Sequence, residues 1–163
     1  MIFLKAFLNS IKLPNKKAVF QLNRIGMDVT VVYMFIIMAI VAVPALLDRI
    51  TASNDPGSEI GVFFLLIYFF MFYYLPLTII VFVVLSGVAY FFSWVAKGLN
   101  RKMLFPLLWK MSAYTTTIPF LIYAAIALLF SIDDSMLWLF FIYSLFILLK
   151  IVFVYPKRKK RII

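Results

Sequence analysis

The chain has no cysteine and no histidine in 163 residues. Without cysteine there are no disulfides, no thiolate metal ligands and no cysteine nucleophile. Without histidine the commonest general base and the commonest metal ligand are missing as well. Acids are scarce, six against 16 Lys and Arg, and none falls at the middle of an apolar run. That argues against a proton-coupled transporter and against acid–base catalysis, because both place ionisable groups in their path. No glycine-rich phosphate loop and no sizeable soluble domain can be found. A cleavable signal peptide is not expected either: the apolar stretch Ile2 to Leu8 is short, is interrupted by Lys5 and is followed by no small-residue cleavage pattern. No metal and no cofactor are expected.

What is present is apolar. Hydrophobic residues make up 66% of the chain, against the roughly 45–50% of an ordinary globular domain. One small core could not hide that much surface, so lipid has to act as solvent. The net charge of +10 would suggest nucleic acid in a soluble protein. Here it flanks long apolar runs, where it orients spans, and no nucleic-acid partner is expected.

The charges are sorted by position. Fifteen of the 16 Lys and Arg form three clusters: Lys5 to Arg24, Lys97 to Lys110, and Lys150 with the tail Lys157, Arg158, Lys159, Lys160 and Arg161. Five of the six acids fall in the two gaps between them: Asp48, Asp55 and Glu59 in one, Asp133 and Asp134 in the other. Basic and acidic zones therefore alternate across a membrane, with the basic side cytoplasmic by the positive-inside rule. The pattern predicts an all-α, polytopic integral membrane bundle of four transmembrane helices with an N-terminal interfacial amphipathic helix. Residues 1–28 form the cytoplasmic or interfacial segment and 29–155 the transmembrane domain. Spans are expected at about 29–47, 60–96, 107–130 and 136–155, with 156–163 as a basic cytoplasmic tail. Both termini are expected inside.

Several segments carry alternatives. Met1 to Lys12 reads as an amphipathic helix that either lies in the lipid interface or docks on the protein's own cytoplasmic end. Pro14-Asn15 marks a turn, and Lys16 to Arg24 suggests a second short helix. Residues 60–96 read either as one long helix kinked at Pro76 or as two spans turning near Tyr74. The charge rule favours one helix, since two would put Lys97 to Lys102 outside. Trp109, Trp138, Tyr33 and Tyr155 sit where interfacial aromatic anchors belong. Lys150 lies a turn and a half from the inner end of its span and is expected to snorkel to the interface.

Two polar stretches inside the apolar runs are the candidate partner or lipid contacts. The first is Ser112, Tyr114, Thr115, Thr116 and Pro119. Pro119 leaves the Thr115 carbonyl without its helical donor, and nearby hydroxyls can compensate in lipid. The stretch is either a compensated kink at a helix contact or a polar groove for a lipid headgroup, an ion or a partner helix. The second is Pro76, Ser86 and Gly87, with Ser86-Gly87 permitting close backbone approach. Lys5, Lys12, Lys16, Lys17 and the tail Lys157 to Arg161 are the expected anionic-lipid contacts.

The N-terminal pattern Phe7-x-x-Ser10-Ile11-x-x-Pro14-x-Lys16-Lys17-Ala18-x-Phe20, then Ile25-Gly26 and Tyr33, with Leu108-Trp109-Lys110-x-Ser112-Ala113-Tyr114 and Pro119, resembles a family of Firmicute membrane proteins. That family is domain of unknown function 1189, some members of which are labelled maltodextrin-utilisation proteins. The Tyr-to-Pro element of the third span also looks like the wider Yip group. The resemblance implies a Gram-positive plasma membrane and no established catalytic chemistry. Family members usually carry a much larger outer segment between the first two spans. Here only about Asp48 to Glu59 lies there, so the role of such a domain does not transfer.

The expected function is that of a non-enzymatic accessory, assembly or regulatory subunit binding another membrane protein complex, with homo-oligomers possible. The alternative is a small transporter or lipid-translocating protein using the groove near Tyr114 to Pro119.

Overall fold

The computed structural model describes residues 2–51, 61–130 and 135–157, the side chains of 135–137 excepted. Arg158, Lys159, Lys160 and Arg161 therefore lie outside the described residues, as do Asp55, Glu59, Asp133 and Asp134. Every regular element among the described residues is a helix. Two short helices open the chain, α1 (Ile2–Ile11) and α2 (Lys16–Asn23). Asn15 caps α2, its side chain accepting from the Lys17 backbone N–H at 3.1 Å, which is the preferred use of Asn at a helix start. The turn expected at Pro14-Asn15 is the one observed.

Helix α3 (Met27–Thr51) has 25 residues, about 38 Å of helix against about 30 Å of hydrocarbon. Asp28 in its first turn and Arg49 in its last match the helix dipole. The segment with competing readings is a single helix: α4 (Val62–Phe69), a π-helical turn (Phe70–Tyr74) and α5 (Leu75–Gly98) run on without a break. The π turn ends just before Pro76. Pro76 has no N–H to offer the Phe72 carbonyl, and a wider i→i+5 turn is how a helix absorbs such a defect. The rod has 37 residues, about 55 Å, so it tilts or projects beyond the hydrocarbon.

The third apolar segment is divided. Helix α6 (Phe105–Thr115) stops at Thr116, and α7 (Thr117–Leu129) carries on. Helix α8 (Ser135–Val154) has 20 residues, about 30 Å. Three segments, Met27–Thr51, Val62–Gly98 and Phe105–Leu129, are long and apolar enough to cross a membrane. With α8 this is an all-α bundle of the expected kind.

Helix α6 sits at the centre. All nine residues from Leu107 to Thr115 are buried, the mark of a helix enclosed on every side. It packs against α5 and α8, and also against α1, α2 and α3. Protein rather than lipid surrounds it, so it can carry Lys110, Ser112 and Thr115. The main core joins Val19 and Leu22 of α2 to Leu108 and Met111 of α6 and to Ile151 and Val152 of α8. A smaller cluster, Met38, Ala42, Phe69 and Tyr74, joins α3 to the π turn. Packing is thus densest at the end that holds α1 and α2.

The N-terminal helix docks on the bundle, as one of its two readings expects, and keeps an apolar face outward. Ala6 and Ser10 dock α1 on the bundle, while Ile2, Phe3, Leu4, Leu8 and Ile11 remain exposed.

The α5–α6 connection is closed by a left-handed residue. Asn100 has φ of 53°. The Arg101 N–H reaches the Ala96 carbonyl at 2.9 Å and the Asn100 N–H the Lys97 carbonyl at 3.0 Å, the paired bonds of a Schellman cap. Asn tolerates this region better than other non-glycine residues. Asn100→Ala should cost about 1 kcal/mol and lower Tm by roughly 2–4 °C, while Asn100→Gly should melt with the parent. Identical melts for the Ala and parent proteins would refute the cap.

The same turn holds the end of α8. Arg101 pairs with Lys157 in an isolated antiparallel bridge, the Lys102 N–H reaches the Pro156 carbonyl at 3.3 Å, and the Arg101 guanidinium donates to the Tyr155 carbonyl. A cation on the last carbonyls of a helix is favourable.

Candidate functional site

The polar residues of α6 and α7 form two hydroxyl pairs with α3. The Tyr114 and Thr30 hydroxyls lie 2.9 Å apart, and those of Tyr33 and Thr117 lie 3.0 Å apart. Thr30 already donates to the Gly26 carbonyl at 3.0 Å. A hydroxyl has one proton, so Tyr114 is the donor of the first pair. The Tyr33 and Tyr114 rings meet at 5.3 Å between centroids, tilted by 53°. Tyr114 is completely buried.

The other hydroxyls turn inward on their own helix. Ser112, Thr115 and Thr116 donate to the carbonyls of Trp109, Ser112 and Ala113, each at 2.8 Å. They therefore satisfy carbonyls one turn back and stabilise the break before Pro119. The expectation that hydroxyls gather at this kink holds, but their partners lie below the Thr115 carbonyl.

The second stretch is tied to α6 as well, at a different place from the Tyr114 region. Trp109 Nε1 donates to Ser86 Oγ at 3.0 Å, and Ser86 donates to the Phe82 carbonyl at 2.8 Å. Gly87 does not serve close approach within the chain, since a Cβ there would meet nothing within 4 Å. Pro76 is exposed on the rod.

Three of the four residues expected as interfacial anchors are core instead. Trp109, Tyr33 and Tyr155 are buried. Trp109 bonds to Ser86 and Tyr33 to Thr117, while the Tyr155 hydroxyl accepts from Asn23 Nδ2 at 3.3 Å and its ring stacks on Phe20. A buried aromatic with a partnered polar tip is at home inside. Trp138 is the exposed one of the four, at 70%.

Sequence reasoning missed Lys110 as a site residue. It is buried, and its Nζ donates to the carbonyls of Asn23 and Ile25 at 2.8 Å each. These carbonyls close the end of α2, so Lys110 fastens the N-terminal pair of helices to α6 and neutralises a helix C-terminus. Its position beside Trp109 in the quoted motif was the available signal. Lys150 also departs from expectation: its Nζ lies 4.5 Å above the Phe146 ring centroid. The side chain thus leans toward the start of α8, as helical side chains do, and away from the Tyr155 end. Lys5, Lys12, Lys16, Lys17 and Lys157 are exposed.

Beside the kink lies a cavity of about 540 Å³. Its floor is Ser112, Thr115, Thr116 and Pro119; one wall is Leu77, Val81, Val84, Leu85 and Val88 of α5; the other is Trp138, Phe141, Ser144, Leu145 and Leu148 of α8. Ser144 donates to the Phe140 carbonyl at 3.0 Å, so these four Ser and Thr hydroxyls have their protons engaged within their own helices, while Tyr73 and Tyr123 also line the cavity. Among the described residues, no charged side chain lines the cavity. Ser112, Thr115, Thr116 and Pro119 are thus brought together, while Tyr114 faces α3, Ser86 faces Trp109, and Pro76 and Gly87 stay apart. In comparisons with known proteins, no family model, no curated protein and no solved structure matches this chain.

Proposed function

We propose that this chain is a non-enzymatic integral membrane accessory, assembly or regulatory subunit that binds another membrane protein complex. The observation that carries the reading is where its polar groups point. The hydroxyls of the candidate site and the Lys110 ammonium are bonded to the chain's own atoms, so little polar chemistry is offered to a substrate. What is offered is apolar helix surface: Phe63, Phe72, Val83 and Phe91 along the rod are each more than 60% exposed. Such faces suit lipid and partner helices.

The charge pattern supports both termini being cytoplasmic, and the family resemblance points to a Gram-positive plasma membrane. Lys5, Lys12, Lys16, Lys17 and the basic tail Lys157 to Arg161 then meet anionic lipid, each contributing about 1 kcal/mol. Proximity crosslinking in native membranes, then mild-detergent copurification, tests the reading. One stoichiometric membrane partner is the expected result, and recovery of the chain alone would overturn it. The second reading, lipid handling, is favoured by the cavity beside Pro119. Its described lining is almost wholly apolar, which suits a lipid tail better than an ion.

A further inference from the structure

We propose that the cavity between α5 and α8 is a binding site for one acyl chain of a membrane glycerophospholipid, with the headgroup at the Tyr73–Tyr123–Trp138 end. The proposal does not depend on the accessory-subunit reading; a subunit with or without a partner complex could hold such a lipid.

Three observations carry it. The first is size. The α5 wall runs from Leu77 to Val88, about 17 Å of helix. The volume of about 540 Å³ falls within the range of ligand pockets, roughly 300–1,000 Å³, and suits a slender chain.

The second is chemistry. Ser112, Thr115, Thr116 and Ser144 donate their protons to backbone carbonyls, so these four hydroxyls present no donor to a polar ligand, and the lining hydroxyls that remain are those of Tyr73 and Tyr123 at one end. In a membrane such a space is filled by hydrocarbon or left at a cost in lost dispersion contacts.

The third is polarity along the slot. α5 and α8 run the same way and α6–α7 runs against them. Leu85, Val88 and Leu148 close one end with hydrocarbon, while Tyr73, Tyr123 and Trp138, all lining residues, bring polar-tipped rings to the other. The Tyr123 ring contacts Phe140 at 6.4 Å, which sets it level with the start of α8. Amphipathic rings of this kind belong at headgroup depth. An apolar slot with a polar-tipped mouth matches a molecule with an apolar tail and a polar head.

The test uses the full chain in dodecyl maltoside, washed extensively and weighed by native mass spectrometry. Bilayers of phosphatidylglycerol and phosphatidylcholine supply the lipid before extraction. The parent should retain one mass equal to a phospholipid. Val84→Trp, which fills the slot from its α5 wall, should weaken retention roughly tenfold, the loss expected for displacing about two methylenes. Val88→Phe is a gentler filler for the case in which Val84→Trp does not fold. Ile79→Trp, on the exposed outer side of α5, should retain lipid like the parent. Loss in the filled variants alone supports the site. No retained lipid in the parent, a free fatty acid or detergent mass alone, or equal retention in well-folded filled variants would overturn it. A parent dimer that Val84→Trp converts to a monomer would also overturn it, by assigning the slot to a second copy.

Discussion

Tyr114→Ala should be among the most destabilising single substitutions in this chain, lowering stability by about 3–5 kcal/mol. Tyr114 is wholly buried, its ring meets Tyr33 at 5.3 Å, and its hydroxyl donates to Thr30. Truncation removes the ring from a close-packed interior, opens a void between α3 and α6, and orphans the Thr30 oxygen. For a chain of this size the melting temperature in detergent should fall by roughly 10 °C or more. Tyr114→Phe separates the two contributions. It keeps the ring and loses one hydrogen bond, so it should cost about 0.5–1.5 kcal/mol. A double-mutant cycle with Thr30→Val should return a coupling of about 0.6 kcal/mol, the mean seen for membrane helices. A Tyr114→Ala protein melting within two or three degrees of the parent, about 1 kcal/mol, would mean that the α3–α6 contact is not the core described above.

Lys110→Met is expected to release the N-terminal helices while leaving the spans in place. The Lys110 ammonium makes two 2.8 Å bonds, to the Asn23 and Ile25 carbonyls. Hydrogen bonds to a charged group contribute about 1.5–3 kcal/mol each, and loss of both leaves two carbonyls at the end of α2 without the donor they had. A net loss near 3 kcal/mol should appear as a Tm lower by roughly 6–12 °C. The local readout is more telling. Amide exchange across residues 2–23 should accelerate by roughly a hundredfold, with exchange in α3 and α5 little changed. Lys110→Arg should rescue only in part, because a planar guanidinium does not reproduce the reach of an ammonium to two carbonyls. Protection of α1 and α2 that survives Lys110→Met would show that Val19, Leu22 and Leu108 hold them without help.

Much of the architecture was legible because membranes constrain sequences in few ways. Charge sorting and apolar run length implied α3, α8 and the continuity of the Val62–Gly98 rod. The turn at Pro14-Asn15 was readable from local turn chemistry, while the capping of α2 by Asn15 came from the structure. The candidate site was only half legible. Ser112, Thr115, Thr116 and Pro119 stood out by being polar in an apolar run, and they do converge on one cavity. Their neighbours did not stand out. Trp109 and Tyr33 sit where a headgroup anchor or a core residue fits equally well, and only the partner decides: Ser86 for one, Thr117 for the other. Lys110 looked like one more cation of a cytoplasmic cluster, because its partners are backbone carbonyls, which have no sequence signature. Gly87 suggested a tight contact, but a small residue also fits where nothing touches it.

The enclosed position of α6 has a consequence for how the protein is made. Phe105–Leu129 is the least apolar of the three long segments, and its first half carries a lysine and several hydroxyls. As it leaves the ribosome, α1, α2, α3 and α5 already exist and can receive it on their sides. The face that belongs against α8 has nothing to meet until that 20-residue helix follows. Insertion of the third segment is therefore a cooperative event, begun by helices translated before it and completed by one translated after it. Arg101 and the Tyr155 carbonyl then act as a latch, joining the turn made before α6 to the chain made after α8.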